Sequence, residues 1–175
     1  MRSYELSIEN LVVRPIEPAD YPLLEEFLYQ AIFLEPGEEA PAREIIFEPE
    51  IYVYVKDFGG AGDCGVVAEV NGEAGFGGEI VDMAWTRIIP AYGHIDTSTP
   101  ELAISALPGW RGQGIGTRMM QLLFELLREQ GYCRTSLSVQ KGNPAVRFYR
   151  RLGYEITGEK EDHAGHEDYI MVKSL

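Results

Sequence analysis

Cysteine is scarce in this chain of 175 residues: Cys64 and Cys133 are its two thiols. They exclude a disulfide-stapled fold and read as idle or buried thiols of a reducing compartment. Cys133 lies between a helix end and a strand start and does not read as a nucleophile. No apolar run nears the ~18 residues that a membrane span requires. The opening Met1–Asn10 stretch has no apolar signal core, so a cytoplasmic location is expected and no membrane partner. Basic residues are outnumbered, 15 Lys and Arg against 28 Asp and Glu, and the net charge of −13 argues against a general nucleic-acid binder. Histidine is rare too, with three in all. His163 and His166, beside Asp162, Glu167 and Asp168, form neither a tetrahedral ligand set nor a helical metal motif, so they read as a polar turn and no metal is expected. Internal repeats and low-complexity tails are absent. A length of this order predicts one domain, 1–175, with a sizeable core.

The charge is unevenly spread. Residues 110–151 hold eight Lys or Arg against two Glu, a local +6 that leaves −19 for the remainder. A basic half suits a phosphate-rich ligand, and an acidic remainder would steer a cationic one.

Periodicity predicts the elements. Leu11–Arg14 reads as a strand and Pro18–Gln30 as a helix with proline in its first turn. Arg43–Phe47 and Pro49–Phe58 suggest further helical pieces. Cys64–Val70 is a strand, and Asn71-Gly72 signals a hairpin. A glycine-rich stretch, 73–79, delays the next strand, Ile80–Ile88, and reads either as a longer hairpin or as a flap. Residues 114–130 form an amphipathic helix with Ile115, Met119, Leu122, Leu123, Leu126 and Leu127 near one face and Gly131 as its stop. Arg134–Gln140, Tyr154–Gly158 and Tyr169–Lys173 read as strands, with a helix between Asn143 and Gly153. The mixture of alternating and consecutive elements predicts an α/β or α+β fold.

Residues 100–117 carry the most information. The strand Glu101–Leu107 runs into Arg111-Gly-Gln-Gly-Ile-Gly116, and a helix begins at once. Strand, glycine-rich turn and helix start make an anion site, with backbone N–H groups pointing outward and the helix N-terminus adding partial positive charge. It is not a Walker loop, since no Lys follows the glycines at the required place. It is not the dinucleotide fingerprint either, because the glycines fall at 112, 114 and 116 and the strand Thr135–Gln140 carries no acid.

The Arg111-x-x-Gly114-x-Gly116 pattern resembles the pyrophosphate loop of the GNAT N-acetyltransferase superfamily. Pro108-Gly109-Trp110 precedes it as in that family. Asn143-Pro144-Ala145-Val146-Arg147-Phe148-Tyr149-Arg150-Arg151-Leu152-Gly153-Tyr154 resembles the family's second block, with Tyr154 in its last aromatic place. The resemblance implies a central twisted mixed, mostly antiparallel sheet of about seven strands flanked by about four helices. It also implies two adjacent strands, Glu101–Leu107 and Thr135–Gln140, splaying apart to admit the pantetheine arm of acetyl-CoA.

Under that resemblance, N–H groups from Gly112, Gln113, Gly114, Ile115, Gly116 and Thr117 would hold the pyrophosphate, with Arg111 bracing the loop or meeting phosphate. The backbone of Ile104, Ser105 and Ala106 would pair with pantetheine, one N–H serving as oxyanion donor. Asn143 would hydrogen-bond the cofactor or cap its helix. Tyr149, neutral at pH 7, would protonate the departing thiolate as general acid. Glu101 is the first candidate for the base that takes the acceptor amine's proton, with Glu79 and Asp82 behind it and His94 read as loop surface. The implied activity is acetyl transfer to a primary amine, on a small molecule or a peptide, by direct attack in a ternary complex. Transfer of a longer acyl group or to a non-amine acceptor stays open, since acyl length depends on pocket volume. A non-catalytic acyl-CoA sensor or scaffold fits the same loop. Dimers are frequent in the family, so a homodimer is a further expectation.

Overall fold

The computed structural model describes residues 10–71, 78–162 and 164–175. Seven strands form one sheet in the order β1-β2-β3-β4-β5-β7-β6. They are β1 Leu11–Pro15, β2 Cys64–Val70, β3 Glu79–Arg87, β4 Glu101–Ala106, β5 Arg134–Gln140, β6 Glu155–Glu161 and β7 Glu167–Ser174. Every neighbouring pair is antiparallel except β4 and β5. The expected sheet is therefore present, with the helices α1 Leu24–Ala31, α2 Pro49–Tyr52, α3 Ile115–Glu129 and α4 Ala145–Arg151.

Strand alternation divides the core into two layers. Val66, Ala68, Ala84, Leu102, Leu137, Val139 and Met171 face α3, whose Ile115, Met119, Met120, Leu123 and Leu127 are buried against them. Val67, Met83 and Trp85 face the other way, onto Leu24, Phe27, Leu28, Ile46 and Val55. Leu122 and Leu126 of the predicted α3 stripe are only half-buried, and Phe124 is buried instead.

Helix ends follow glycine chemistry. Gly131 at φ +86° and Gly153 at φ +90° close α3 and α4. The amide of Tyr132 returns to the Leu127 carbonyl at 3.0 Å, and that of Tyr154 to the Tyr149 carbonyl at 3.0 Å, satisfying carbonyls the helices would otherwise orphan.

Two helical expectations are corrected. Pro18–Gln30 is not one α-helix: Pro18–Leu23 is a 3-10 segment, and the α-helix starts at Leu24. Pro22 lacks an N–H and crowds the preceding turn, so the tighter winding takes over. Pro49–Phe58 is helical only over Pro49–Tyr52. Arg87 captures the Val53 and Lys56 carbonyls at 3.0 and 2.6 Å, taking acceptors that a longer helix would use. The last hairpin is longer than predicted, pairing out to Glu161 and Glu167. Asp162 ties its turn by accepting from the Ala164 and His166 amides, each at 2.8 Å. The hairpin signal at Gly72, most of the 73–79 stretch, and His163 lie outside the described residues.

Leu123 of α3 is fully buried against the sheet. Leu123→Ala is expected to destabilise the fold by about 2–5 kcal/mol, read as a lowered midpoint in urea unfolding with an unchanged slope.

Candidate active site

The glycine-rich turn is shaped by backbone need. Gly112 and Gly114 hold φ +75° and +82°, a left-handed conformation that side chains with a Cβ rarely adopt. A Cβ at either would meet no protein atom within 4 Å, so the turn presents an open concave backbone. Gly114 stands at the start of α3, whose first amides point out of the helix with no partner inside it. Gly116 differs: its Cβ would lie 3.2 Å from the Phe148 ring, so a missing side chain lets α4 approach the loop. Arg111 braces the turn, donating from Nε to the Ala106 carbonyl at 3.1 Å and from its guanidinium to the Gln30 carbonyl at 3.2 Å. Gln113 donates to the Gly109 carbonyl at 2.6 Å. The Ile115 side chain is core, and Thr117 is exposed.

β4 and β5 pair in register at one position, Glu101 opposite Ser136, and then diverge. The amide of Leu107 bonds the Val81 carbonyl of β3, and that of Ser136 bonds the Pro100 carbonyl. By alternation, the N–H and C=O groups of Ile104 and Ala106 face the gap between β4 and β5, whereas those of Ser105 face β3. Ser105 therefore stands apart from the other two. Its hydroxyl donates to the Phe27 carbonyl at 2.6 Å in the opposite core layer. Asn143 accepts from the Ala145 amide at 2.9 Å and so caps α4.

Two ionisable clusters lie on opposite faces of the sheet. Tyr149 of α4 is half-buried, its ring edge-on to Tyr154 at 5.8 Å and beside Phe148 at 5.5 Å. Burial and then the charge of Asp82 push its hydroxyl above the usual tyrosine range, so it stays protonated. Asp82 itself is buried, and burial lifts it to about 8 against the pull of the Met83 amide and Arg111. Its Oδ1 has no partner among the described residues.

Glu101 lies on the opposite face. It is 2 % exposed rather than a solvated strand-end residue. Oε1 accepts from the Tyr54 hydroxyl and from the Gly93 amide, the latter at 2.7 Å, while Oε2 is enclosed without a partner among the described residues. Burial lifts Glu101 to about 7, held back by Tyr54, Gly93 and Lys160. A buried carboxyl lifted toward neutrality suits proton transfer. Glu79 is exposed at the far end of β3, and His94 lies in an exposed loop, so neither joins this cluster.

Tyr54 and Gly93 escaped the sequence reading. Tyr54 is remote from Glu101 in the chain, Gly93 lies in the loop before β4, and neither belongs to a motif. Only the tertiary fold, with Trp85 Nε1 donating to the Tyr54 carbonyl at 2.9 Å, brings them to β4.

The Acetyltransferase (GNAT) family model matches residues 26–154. The chain belongs to the GNAT acetyltransferase family. It is 37 % identical over 73 residues to an uncharacterised N-acetyltransferase of Mycobacterium tuberculosis, a match covering 39 % of this chain and 47 % of that one. It is 36 % identical over 62 residues to the L-methionine sulfoximine/L-methionine sulfone acetyltransferase of Pseudomonas aeruginosa, covering 35 % of this chain and 36 % of that one. The matched region thus spans about half or less of these curated relatives. Among solved structures, a GNAT-family acetyltransferase from Streptococcus pneumoniae superposes with a TM-score of 0.66 at 21 % identity, covering 94 % of this chain and 99 % of that one. A putative acetyltransferase from Salmonella typhimurium, solved with its cofactor acetyl-CoA, superposes with a TM-score of 0.63 at 18 % identity, covering 95 % of each chain. These likenesses establish the fold of the GNAT family for this chain.

The raised Glu101 carboxyl has a consequence for stability. Between its ordinary 4.5 and about 7, the native state binds more protons than the unfolded chain. Its contribution is complete at low pH and is lost as pH climbs through about 7. Removing the charge in Glu101→Gln removes that loss. From pH 4 to pH 8 the difference in stability between variant and parent is expected to move in the variant's favour by up to ~3 kcal/mol. Calorimetric melting at both pH values reads it, and parallel pH profiles for the two proteins would sink the assignment.

Proposed function

We propose that this protein is an acetyl-CoA-dependent N-acetyltransferase that moves an acetyl group to a primary amine by direct attack in a ternary complex. The observation that carries the reading is the pairing of an open glycine cradle at a helix start with a parallel strand pair that diverges beside it. Both fit the donor: Gly112 and Gly114 leave their side-chain space empty, and the gap-facing groups of Ile104 and the Ala106 amide offer a strand edge, the Ala106 carbonyl being taken by Arg111. The amides of Gly112–Thr117 would hold the pyrophosphate, with Arg111 bracing the turn, and Ile104 and Ala106 would hold the pantetheine arm. When bound, acetyl-CoA supplies a thioester carbonyl with a thiol leaving group.

This chain's residues then handle protons. An alkyl ammonium lies about three units above neutrality, so freeing its lone pair costs on the order of 4–5 kcal/mol. Glu101 takes that proton at the enclosed Oε2, directly or through one water. Tyr149, kept protonated by burial and by Asp82, donates its O–H to the departing thiolate. A gap-facing amide of β4 receives the developing oxyanion, an effect worth about 2.7–4 kcal/mol for such donors. A carboxyl lifted toward neutrality and a phenol held protonated, on either side of the sheet, support turnover over acyl-CoA sensing. The Pseudomonas relative named for acetylating methionine sulfoximine supports a small-molecule amine as acceptor. A cytoplasmic setting accords with two free thiols.

Saturating acetyl-CoA, at about 100 times its dissociation constant, is expected to stabilise the fold by about 2.7 kcal/mol. For a chain of this length the melting temperature rises on the order of 5–11 °C. No rise at millimolar acetyl-CoA would remove the donor site.

Tyr149→Phe should keep that thermal shift while lowering kcat by roughly 10²–10⁴, the range of general acid–base catalysis. Unchanged turnover in this variant would strip Tyr149 of its role.

A further inference from the structure

Arg87 stands where it could neutralise Glu101 and does not. The β3–β4 register sets the two residues directly opposite each other, and opposite charges at that spacing attract. Arg87 is spent elsewhere. Its Nε donates to Asp63 Oδ1 at 3.0 Å, and Nη1 donates to the Val53 and Lys56 carbonyls at 3.0 and 2.6 Å. Trp85, two residues back on the same face of β3, donates from Nε1 to the Tyr54 carbonyl at 2.9 Å. The carbonyls of Val53, Tyr54 and Lys56 are therefore all held from β3. The segment so fixed carries Tyr54, whose hydroxyl donates to Glu101 Oε1.

The effect on the carboxyl is asymmetric. A carboxylate oxygen has two lone-pair sites. On Oε1 both are filled, by the Tyr54 hydroxyl and by the Gly93 amide at 2.7 Å. Oε2 has no partner among the described residues. A proton gained by this carboxyl therefore settles on Oε2. The donor is also a lasting one: burial, then the charge of Glu101, lift the Tyr54 hydroxyl well above the usual tyrosine range, against the pull of the Tyr92 backbone. Lys160 of β6 acts on Glu101 by its charge, with its ammonium 5.8 Å from the centre of the Tyr92 ring. Asp168 of β7, the other buried carboxyl on this face, accepts from the Ser138 hydroxyl at 2.6 Å.

We propose that Tyr54 is a positioning residue for the transfer reaction, fixing Glu101 so that Oε2 alone exchanges the amine proton. The inference rests on Glu101 as the base of the proposed function and deepens it. The Tyr54 proton stays on its own oxygen throughout; the proton that moves is the amine's, which ends on Oε2.

Tyr54→Phe removes one oxygen and leaves the ring. The ionised Glu101 then loses a donor, so its carboxyl is harder to ionise and its midpoint rises from about 7. The strength of a hydrogen bond to a charged group sets that rise at about one to two pH units. NMR titration of protein carrying isotope-labelled glutamate carboxyl carbons reads it directly, with Glu101→Gln giving the assignment. In thiol release from acetyl-CoA with n-butylamine, the acidic limb of the kcat/KM profile should move upward by the same amount. A tyrosine that only packed would lower the melting temperature and leave both midpoints in place.

An unmoved or lowered Glu101 midpoint in Tyr54→Phe overturns the inference, and so does a raised midpoint with an unmoved kinetic limb. If the variant does not fold, the parent protein decides. The Tyr54 ring carbon that bears the hydroxyl should then shift with the Glu101 midpoint, and a resonance indifferent to it overturns the inference equally. A raised midpoint without thiol release in the parent upholds the link from Tyr54 to Glu101 and counts against amine transfer alone. Thiol release with an unmoved midpoint does the reverse.

Discussion

Everything at the candidate site depends on β4 and β5 ceasing to pair. Parallel neighbours normally continue their ladder, because an unpaired buried amide or carbonyl carries a desolvation cost. Here the ladder holds at Glu101 and Ser136, reinforced by the Ser136 amide and Thr135 hydroxyl on the Pro100 carbonyl. The next groups along β4 must then find partners elsewhere. Arg111 takes the Ala106 carbonyl, which also ties the glycine turn to the strand that precedes it. On the other side of the divergence, Gly93 rests on β5 so closely that any side chain would strike the Leu137–Ser138 peptide, and its carbonyl accepts from Ser136. The gap is thus bounded by specific bonds on both strands. A ligand that supplies strand-like donors and acceptors completes the ladder that the fold leaves open.

The same divergence explains why Glu101 is both buried and unsatisfied. It opens β4 at the position that pairs with β5, beyond which the neighbouring strand leaves. Tyr54 and Gly93 fill one oxygen; the other is left facing no protein donor. Replacing such a carboxyl with an apolar side chain would remove that desolvation cost, so stability does not account for it. Ser105, on the same strand face, shows the contrast: its hydroxyl is fully used by the Phe27 carbonyl and holds α1 against β4.

How far the sequence could carry this picture varied with the range of the interactions involved. Strands β2 and β5 were legible to the residue, because Cys64–Val70 and Arg134–Gln140 end at turn-forming residues. Gly131 and Gly153 marked helix ends for the same local reason. The segment before β2 was misread where a distant side chain intervened: Arg87, on β3, takes the carbonyls that would have extended α2. The glycine turn and Tyr149 were legible as motifs, since their spacing along the chain fixes their backbone geometry. The environment of Glu101 was not, because Tyr54 and Gly93 reach it from segments that share no periodicity with β4. Asp168 was visible only as one acid in a polar turn; its burial comes from Ser138 across a strand pairing.

The faces of the sheet separate the two proton movements that acetyl transfer requires. Asp82 and Tyr149 lie on the layer covered by α3 and α4, and Glu101 and Tyr54 lie on the layer covered by α1 and α2. Here the β4 strand stands between them, and the gap beside it is the shared opening. In the proposed reaction an amine would arrive from the Glu101 face and the thiolate would leave toward Tyr149. The buried Asp82 fits this scheme as an electrostatic neighbour of Tyr149. If ionised, it raises the cost of a tyrosinate and so keeps the phenol a donor; if neutral, it leaves the phenol's proton where burial already holds it. In both states the acid stays an acid, which is the condition the departing thiolate imposes.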